Sequence, residues 1–297
     1  MKFGLVGTGH WALTTHGLGL GDHPDVELVG VWGRDFEKST NVANELGTKA
    51  YENYDDLLND VDAVSFAVDP VVQGELALKA AQAGKHLLLD KPVALDPDIA
   101  RQIEATVREK GLGSIVFFTI RFAQADADWL ATLDGARNGG WVLFLVNAYT
   151  PGSPYANSPW RKEKGGLWDV GPHALSVLDG GLGPIVEVTA VGGEGDLAHL
   201  ILKHESGATS TVTLSLTAPI ESIKVEMNFW GKDGIRTMPS GDGDALGAYR
   251  RALDSLLENI ASGKTGHPCD VHLGTRITEI LASAESQITS AGSLTTR

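Results

Sequence analysis

Two side chains that can move a proton lie four positions apart in the segment Gly165–Leu175, whose sequence is GGLWDVGPHAL. Asp169 supplies a carboxylate and His173 an imidazole, the side chain that gains and loses protons near neutral pH. If one helix runs through the segment, these residues share a face and could act in acid–base catalysis. The alternative is structural, because an aspartate near a helix N-terminus caps the helix, Pro172 is tolerated in its first turn, and a single histidine is more often structural.

A glycine-rich turn near the start of the chain could hold a dinucleotide. Gly7–Ala12 (GTGHWA) fits the pattern G-x-G-x-x-G/A directly after the apolar run Lys2–Val6. The first glycine makes a tight turn, the second lets the backbone approach a pyrophosphate, and the small third residue lets the helix pack closely on the sheet. Glycines that only serve a tight turn are the alternative. The second predicted strand, residues 26–33, ends at the distance along the chain where such folds recognise the ribose, and this favours the dinucleotide site.

The residues after that second strand bear on the choice of cofactor. An NAD site usually places an acidic side chain against the ribose 2′-hydroxyl, whereas a 2′-phosphate favours a cation without a nearby carboxylate. Gly33 lies where the acid is expected, and Arg34 follows it. NADP is therefore the predicted cofactor. NAD is the alternative, which Asp35 would support if the alignment shifts by one residue, and Arg34 could also be an ordinary surface arginine.

Lys91, which follows the apolar run KHLLLD, is a third candidate. Ligands of open α/β sheets bind at the carboxyl ends of the strands. An ammonium group at that edge can hydrogen-bond a substrate oxygen and stabilise the negative charge that develops on it. A solvated lysine after a strand is the alternative.

The elements that must position these residues alternate between strand and helix in the first third of the chain. Strands are predicted in residues 2–6, 26–33, 49–54, 61–68 and 85–92, and helices in residues 36–47, 54–60 and 71–84. The last of these helices places Leu76, Ala80 and Ala83 on one face and stops at Gly84. This alternation predicts an α/β fold with a parallel, doubly wound Rossmann sheet covered by helices on both faces.

From about Leu112 the pattern changes to that of an α+β domain with a large open antiparallel sheet. Residues 114–123 are predicted to begin a strand that leaves the first domain, and residues 141–150 form a second strand. Apolar and polar residues alternate between Ile185 and Trp230, and Glu205–Gly207 joins two strands as a hairpin. Helices, including the amphipathic segment 249–263, should cover one face. The predicted domains are residues 1–118 and 119–297, with last helices that can pack back on the first domain.

Charge and composition restrict the partners. The net charge of −14 disfavours nucleic acid and anionic membranes, because both are polyanions. Cys269 is the single cysteine, which excludes an intramolecular disulfide, and His199, His204, His267 and His272 match no strong zinc pattern. The N-terminus lacks a signal-peptide pattern, and no run reaches the roughly 20 apolar residues that span a bilayer. We expect a soluble, cytoplasmic protein that binds a small molecule and no metal.

Several segments together resemble the glucose-fructose oxidoreductase, inositol dehydrogenase and MocA family. They are AGKHLLLDKPVALD (83–96), RF (121–122), WR (160–161), GGLWDVGPH (165–173) and the C-terminal stretch 259–287. The resemblance runs nearly end to end. It implies an NAD(P)-dependent oxidoreductase that acts on a CH–OH group of a sugar, polyol or similar molecule. It also implies a homodimer or homotetramer that pairs through the sheet of the second domain.

The resemblance assigns the site residues. The catalytic set is Lys91, Asp169 and His173, in which His173 carries the proton and Asp169 binds a substrate hydroxyl or, as an alternative, orients His173. The implied cofactor-binding residues are Gly7, Thr8, Gly9, His10, Trp11, Gly33, Arg34, Val68, Asp69, Asp90, Lys91 and Pro92. The implied substrate-binding residues are Arg121, Trp160, Arg161, Asp169 and His173, of which Trp160 and Arg161 would help to close the site.

Three positions depart from the family pattern. Asp90 replaces the usual glutamate before the lysine, Gln73 stands where a histidine is common, and Ser176 stands where an acidic residue often follows the catalytic histidine. Two other functions remain open on the same fold: a glycosidase that oxidises its substrate transiently with a retained nicotinamide cofactor, and a non-catalytic dinucleotide-binding regulator. The presence of Lys91 and His173 favours the oxidoreductase.

Overall fold

The computed structural model describes residues 1–133, 137–239, 241 and 243–292. The chain divides into two compact units. The first comprises Met1–Ala123 and Gly243–Thr275, and the second comprises Gln124–Asp242 and Arg276–Arg297. The domain limits inferred above, 1–118 and 119–297, stay a prediction.

A six-stranded parallel sheet forms the centre of the first unit. Its strands are β1 (Lys2–Val6), β2 (Glu27–Trp32), β3 (Lys49–Tyr51), β4 (Ala63–Phe66), β5 (His86–Asp90) and β6 (Ser114–Phe117), in the order β3-β2-β1-β4-β5-β6. Every residue of β4 and β6 is buried, which is why these strands are continuous apolar runs in the sequence. The strand order reverses between β1 and β4, the place where such sheets bind ligands at their carboxyl edge.

Helices cover this sheet. A π-helical segment, Ala12–Gly17, continues into α1 (Leu18–Gly21), and the other helices are α2 (Phe36–Glu45), α3 (Tyr54–Asp60), α4 (Pro70–Gln82), α5 (Pro97–Lys110), α6 (Thr119–Phe122) and α10 (Ala245–Ser262). The side chains of Asp35, Asn53 and Asp96 cap α2, α3 and α5 by accepting a backbone N–H of the first turn.

Two expectations for α4 and β6 are wrong. Residues 114–117 do not leave the first unit but pair with β5 as its sixth parallel strand, and residues 119–122 form a helix. The buried face of α4 consists of Pro70, Gln73, Gly74, Ala77, Ala80 and Ala81, whereas Ala83 is exposed and Leu76 is only half-buried. The face is rotated because the first turn of α4 packs beneath the residues that follow β5.

The helix α10 also differs from expectation, because it belongs to the first unit and not to the second sheet. It packs on β6, α1 and α6. Its apolar face includes Tyr249, whose hydroxyl lies 2.8 Å from Ser65 Oγ on β4. The chain therefore returns to the first unit at Gly243 and crosses again to the second unit at Arg276.

A six-stranded mixed sheet organises the second unit. Its strands are β7 (Arg137–Leu145), β8 (Ile185–Gly192), β9 (Ala198–His204), β10 (Thr209–Ser215), β11 (Lys224–Gly231) and β12 (Gly234–Thr237), in the order β12-β11-β7-β10-β9-β8. The predicted β9–β10 hairpin is confirmed. The pair β7–β10 is parallel, whereas the other pairs of this sheet are antiparallel.

The helices of the second unit are α7 (Gln124–Ala131), α8 (Pro159–Asp169), α9 (Gly171–Leu182) and α11 (Val271–Gly292), whose first residues count with the first unit. A 3-10 turn spans Ile220–Ser222. Across the described ranges, the structure has no helix with the length and hydropathy that a membrane span requires.

Candidate active site

The glycine-rich turn lies at the carboxyl edge of the parallel sheet. Gly7 N–H donates to the carbonyl of Trp32 at 2.9 Å, and Ala67 N–H donates to the carbonyl of Val6 at 2.9 Å. These bonds join the end of β1 to the ends of β2 and β4. The turn, the residues after β2 and the residues after β4 therefore share one edge, as the motif predicts.

Each small residue of this turn meets a separate steric requirement. Gly7 has φ 141°, and a Cβ there would lie 2.4 Å from the carbonyl oxygen of Ala67. A Cβ on Gly9 would meet nothing within 4 Å, so the space beside its backbone is open. Ala12 is fully buried. The residues present thus fit a dinucleotide whose pyrophosphate approaches the backbone at Gly9.

The side chains behind the turn hold it against the core. The ring centres of Trp11 and Phe117 lie 6.3 Å apart, with the planes inclined by 22°. His16 is fully buried, and its Nδ1 lies 2.9 Å from Ser65 Oγ. Burial lowers the pKa of His16 to about 3. His16 is therefore a neutral structural group, while His10 is exposed at the turn itself.

After β2, the position where the acid of an NAD site is expected holds Gly33, which has no side chain. A Cβ on Gly33 would lie 2.7 Å from Thr8 Cγ2, so this position is closed to a larger side chain. Asp35 caps α2, where its Oδ1 accepts the backbone N–H of Lys38 at 3.1 Å. Arg34 is exposed between them.

The loop after β5 carries Lys91, which is half-buried. Asp90 Oδ1 accepts the backbone N–H of Lys91 at 2.8 Å, so its short carboxylate turns towards its own loop. The neighbouring loop after β4 supplies Val68, half-buried, and Asp69, exposed at the start of α4. The buried Pro92 completes the set that the sequence assigns to the cofactor.

Arg121 lies on α6, just after the carboxyl end of β6. Burial lowers the pKa of His267, with Asp270 opposing that shift and Arg121 adding to it. Arg121 therefore acts electrostatically on His267, a contact that the sequence does not indicate.

In the second unit, the segment 165–173 is not one helix. Gly165 has φ 60° and ψ −160° inside α8, which ends at Asp169, and α9 starts at Gly171 after Val170. Asp169 and His173 therefore lie on two helices, so the condition of a single helix through the segment is not met. The capping interpretation is wrong, because Asp169 ends a helix and the N-cap of α9 is Val170, without a side-chain bond. Pro172 does lie in the first turn of α9.

Asp169 is paired with Arg161. The Arg161 Nε donates to Asp169 Oδ2 at 3.0 Å, and the two side chains are only 18% and 12% exposed. The guanidinium carbon of Arg161 lies 4.3 Å from the ring centre of Tyr155 and 4.6 Å from that of Trp160, which is buried. The structure thus fixes an arginine–carboxylate pair between two aromatic rings.

His173 lies in the first turn of α9 and is half-buried. Its ring centre is 6.3 Å from that of Phe144 on β7, with the planes inclined by 24°. Ser176 Oγ donates to the backbone carbonyl of His173 at 2.9 Å. The serine that departs from the family pattern therefore supports the backbone of the histidine.

Asp196 is a residue that sequence reasoning missed. Its carboxylate accepts four hydrogen bonds, from Gly166 N–H (2.8 Å), Leu216 N–H (2.6 Å), Ser215 Oγ (2.7 Å) and Thr217 Oγ1 (2.5 Å). Burial opposes its ionisation, but these bonds outweigh burial and hold its pKa below the ordinary value. Asp196 thereby ties Gly166, near the start of the segment 165–173, to the end of β10. The sequence shows only an acid in a glycine-rich turn, with no sign of partners so distant in the chain.

Among the residues that the structure describes, no group of three or more His, Cys, Asp or Glu could hold a metal ion.

A parallel sheet with a dinucleotide turn, followed by a mixed-sheet unit with an acidic and a histidine side chain, is the architecture of a two-domain NAD-binding oxidoreductase. Comparison with known proteins gives the family. Residues 1–118 match "Oxidoreductase family, NAD-binding Rossmann fold", and residues 100–236 match the GFO/IDH/MocA C-terminal domain. The chain belongs to the GFO/IDH/MocA oxidoreductase family, which confirms the predicted family and fold class.

Curated relatives include scyllo-inositol 2-dehydrogenase (NAD(+)) of Bacillus subtilis, 28% identical over 66% of this chain and 61% of that protein. Another is UDP-N-acetylglucosamine 3-dehydrogenase of Acidithiobacillus ferrooxidans, 33% identical over 38% of this chain and 35% of that protein. The match thus spans about three fifths of the length of the former relative and about a third of the latter.

Solved structures show the same fold along nearly the whole chain. The A. ferrooxidans UDP-N-acetylglucosamine 3-dehydrogenase superimposes with a TM-score of 0.82 at 22% identity, covering 98% of both chains. GenD2 from gentamicin A biosynthesis, in complex with NAD, superimposes with a TM-score of 0.85 at 18% identity, covering 98% of this chain and 95% of that one.

Proposed function

We propose that this protein is an NADP-preferring oxidoreductase that moves hydride between the nicotinamide and a carbinol carbon of a sugar, polyol or related hydroxylated molecule. The observation that carries the proposal is the position of Lys91, directly after β5 at the edge that also holds the dinucleotide turn. Membership of an NAD-binding oxidoreductase family supports it, as do relatives named for an inositol and for a nucleotide sugar.

The cofactor would be held at the edge of the parallel sheet. The residues that would bind it are Gly7, Thr8, Gly9, His10, Trp11, Gly33, Arg34, Val68, Asp69, Asp90, Lys91 and Pro92. A bound nicotinamide would supply a carbon that accepts or gives hydride. Gly33, which carries no carboxylate, and the exposed charge of Arg34 support NADP over NAD, whereas the exposed Asp35 uses its Oδ1 to cap α2.

The protein must handle the proton that accompanies the hydride. In the oxidation direction, the ammonium of Lys91 stabilises the negative charge on the substrate oxygen, and His173 takes the hydroxyl proton. Asp169, held by Arg161, binds a second substrate hydroxyl. Arg121 and Trp160 complete the proposed substrate set.

The test is an absorbance screen at the nicotinamide band with NAD and NADP against a panel of sugars and polyols. The variants Lys91→Met and His173→Ala should each lower kcat/KM by about 100-fold or more, since each removes a group that acts in proton transfer or charge stabilisation. Lys110→Met, at the exposed end of α5, is the matched control and should keep wild-type activity. Activity that survives Lys91→Met and His173→Ala together would reject the site.

The open face of the second sheet supports the proposed homo-oligomer. Residues of β9 alternate between buried and exposed, and Ile201 is 58% exposed on the open side. Thr211 and Trp141 are its neighbours across the sheet by strand register. A second copy of this chain is the proposed partner, in a dimer or tetramer, because an apolar sheet face in water favours association.

A further inference from the structure

The side-chain amide of Gln73 hydrogen-bonds the backbone of the loop that carries Lys91. The residue is on the buried face of α4 and is 1% exposed. Its Oε1 accepts the backbone N–H of Asp90 at 3.1 Å. Its Nε2 donates to three carbonyl oxygens, those of Asp90 at 2.7 Å, Pro92 at 3.0 Å and Val93 at 3.1 Å. The backbone is therefore held on both sides of Lys91.

The side chain at this position must donate and accept at once. Three carbonyl oxygens and one N–H converge on it, and an amide offers both functions in one plane. A carboxylate would place negative charge against three carbonyl oxygens. An apolar side chain would leave buried backbone groups without a hydrogen-bond partner, which is unfavourable.

The helix gives this amide a fixed support. The backbone N–H of Gln73 donates to the carbonyl of Asp69 at 2.9 Å in the first turn of α4. A Cβ on Gly74 would lie 2.9 Å from Ala94 Cβ, so α4 lies closely against the chain beyond the loop. The loop thus takes its position from the helix.

We propose that Gln73 is the positioning residue of Lys91, setting where the lysine ammonium meets the substrate oxygen. The inference rests on the proposed function, in which Lys91 contacts that oxygen. Because a misplacement of about 1 Å can lower the rate by about 100-fold, loosening this loop should act on turnover more than on cofactor affinity.

The first experiment compares Gln73→Met with Gln82→Met, the matched exposed glutamine at the end of the same helix. With NADP and the sugar or polyol of highest turnover in the screen, Gln73→Met should lower kcat by about 10- to 100-fold. The NADPH dissociation constant, measured by fluorescence without substrate, should change by less than about threefold. Gln82→Met should match the wild type in both.

A second variant separates positioning from mere support. In Gln73→Glu, the protonated acid can donate one hydrogen bond and accept another, whereas the carboxylate can only accept. The kcat of Gln73→Glu should therefore rise as pH falls through the pKa of the new side chain, a step absent from the wild-type profile. Gln73→His, which can donate from one nitrogen and accept at the other, should recover part of the lost kcat.

Hydrogen–deuterium exchange provides a readout without substrate or cofactor. The Asp90 amide should exchange faster in Gln73→Met than in the wild type, and as slowly as the wild type in Gln82→Met. A kcat within twofold of wild type together with unchanged exchange would overturn the inference. If Gln73→Met does not fold, a Gln73→Glu profile without the acidic rise would overturn it. Full activity of Lys91→Met would instead reject the proposed function, whereas an inactive Lys91→Met beside a normal Gln73→Met would reject only the positioning role.

Discussion

At the scale of single residues, the proposed preference for NADP rests on the three residues that follow β2. Gly33 is held against Thr8, where a Cβ would come within 2.7 Å of a methyl carbon. Asp35, which is exposed, caps α2 through its Oδ1. Arg34 and Asp35 are both exposed, and of the two only the positive charge of Arg34 suits a phosphate.

Arg34→Ala should therefore weaken NADPH binding by about tenfold and leave NADH binding unchanged, because one charge-assisted contact to phosphate contributes roughly 1–2 kcal/mol. Fluorescence titration of the two reduced cofactors measures both affinities. Arg108→Ala, on the exposed face of α5, controls for a general loss of positive charge. Equal NADPH affinity in Arg34→Ala and wild type would reject the cofactor preference.

At the scale of elements, the π-helical segment Ala12–Gly17 joins the dinucleotide turn to α10. His16 on this segment contacts Ser65 Oγ, and Ser65 Oγ contacts the Tyr249 hydroxyl. The His16 and Tyr249 ring centres are 4.5 Å apart. The π-helical segment, β4 and α10 thus meet at a buried polar cluster made of His16, Ser65 and Tyr249. In this cluster His16 stays neutral.

This buried histidine makes stability depend on pH. Its pKa is about 3 in the folded protein against an ordinary 6.5, so between these values the unfolded chain binds more protons. The contribution of His16 to the free energy of unfolding is fully present above about pH 6.5 and is lost as the pH falls towards 3. From pH 7 to pH 5 the loss from this group is about 2 kcal/mol.

His16→Leu should lose less stability than the wild type between pH 7 and pH 5, by up to that amount, in urea unfolding curves. The reason is that leucine binds no proton in either state. His199→Leu, which removes an exposed histidine of β9, should keep the wild-type slope. A His16→Leu slope equal to that of the wild type would contradict the argument.

Local patterns explain which elements the sequence predicts correctly. Strands such as β4 are apolar throughout because both faces are buried, and the β9–β10 hairpin follows from alternation around Glu205–Gly207. The break at Gly165 is less readable, since a glycine inside a helical pattern is often tolerated. Gln73 and Asp196 escape prediction for another reason: their partners are fixed by folding, about 20 and 30 positions away in the chain.

At the scale of the whole molecule, the proposed association rests on the open face of the second sheet. Val186, Val191, Ile201 and Ile235 are each at least 58% exposed on its strands. Few soluble monomers leave many apolar side chains of one sheet in water. The sheet is therefore the surface at which a second copy is proposed to bind.

Ile201→Lys should shift the protein towards the monomer in size-exclusion chromatography with light scattering, because it places a charge in the proposed contact. Ile220→Lys, at a 68% exposed position on the 3-10 turn, is the matched control and should leave the mass unchanged. A wild-type protein that is monomeric at micromolar concentration would reject the proposed homo-oligomer.

The return of the chain to the first unit has a consequence for biosynthesis. Phe117 packs edge-on against Tyr249, with ring centres 5.4 Å apart, and Tyr249 is made only after Gln124–Asp242 has been translated. On a ribosome-bound nascent chain, we expect the side of β6 that α10 covers to stay exposed until α10 has been translated. Chaperones that bind apolar surface during translation could bind this side of β6 before α10 covers it. A stop codon before residue 245 would leave the same surface exposed in the truncated chain.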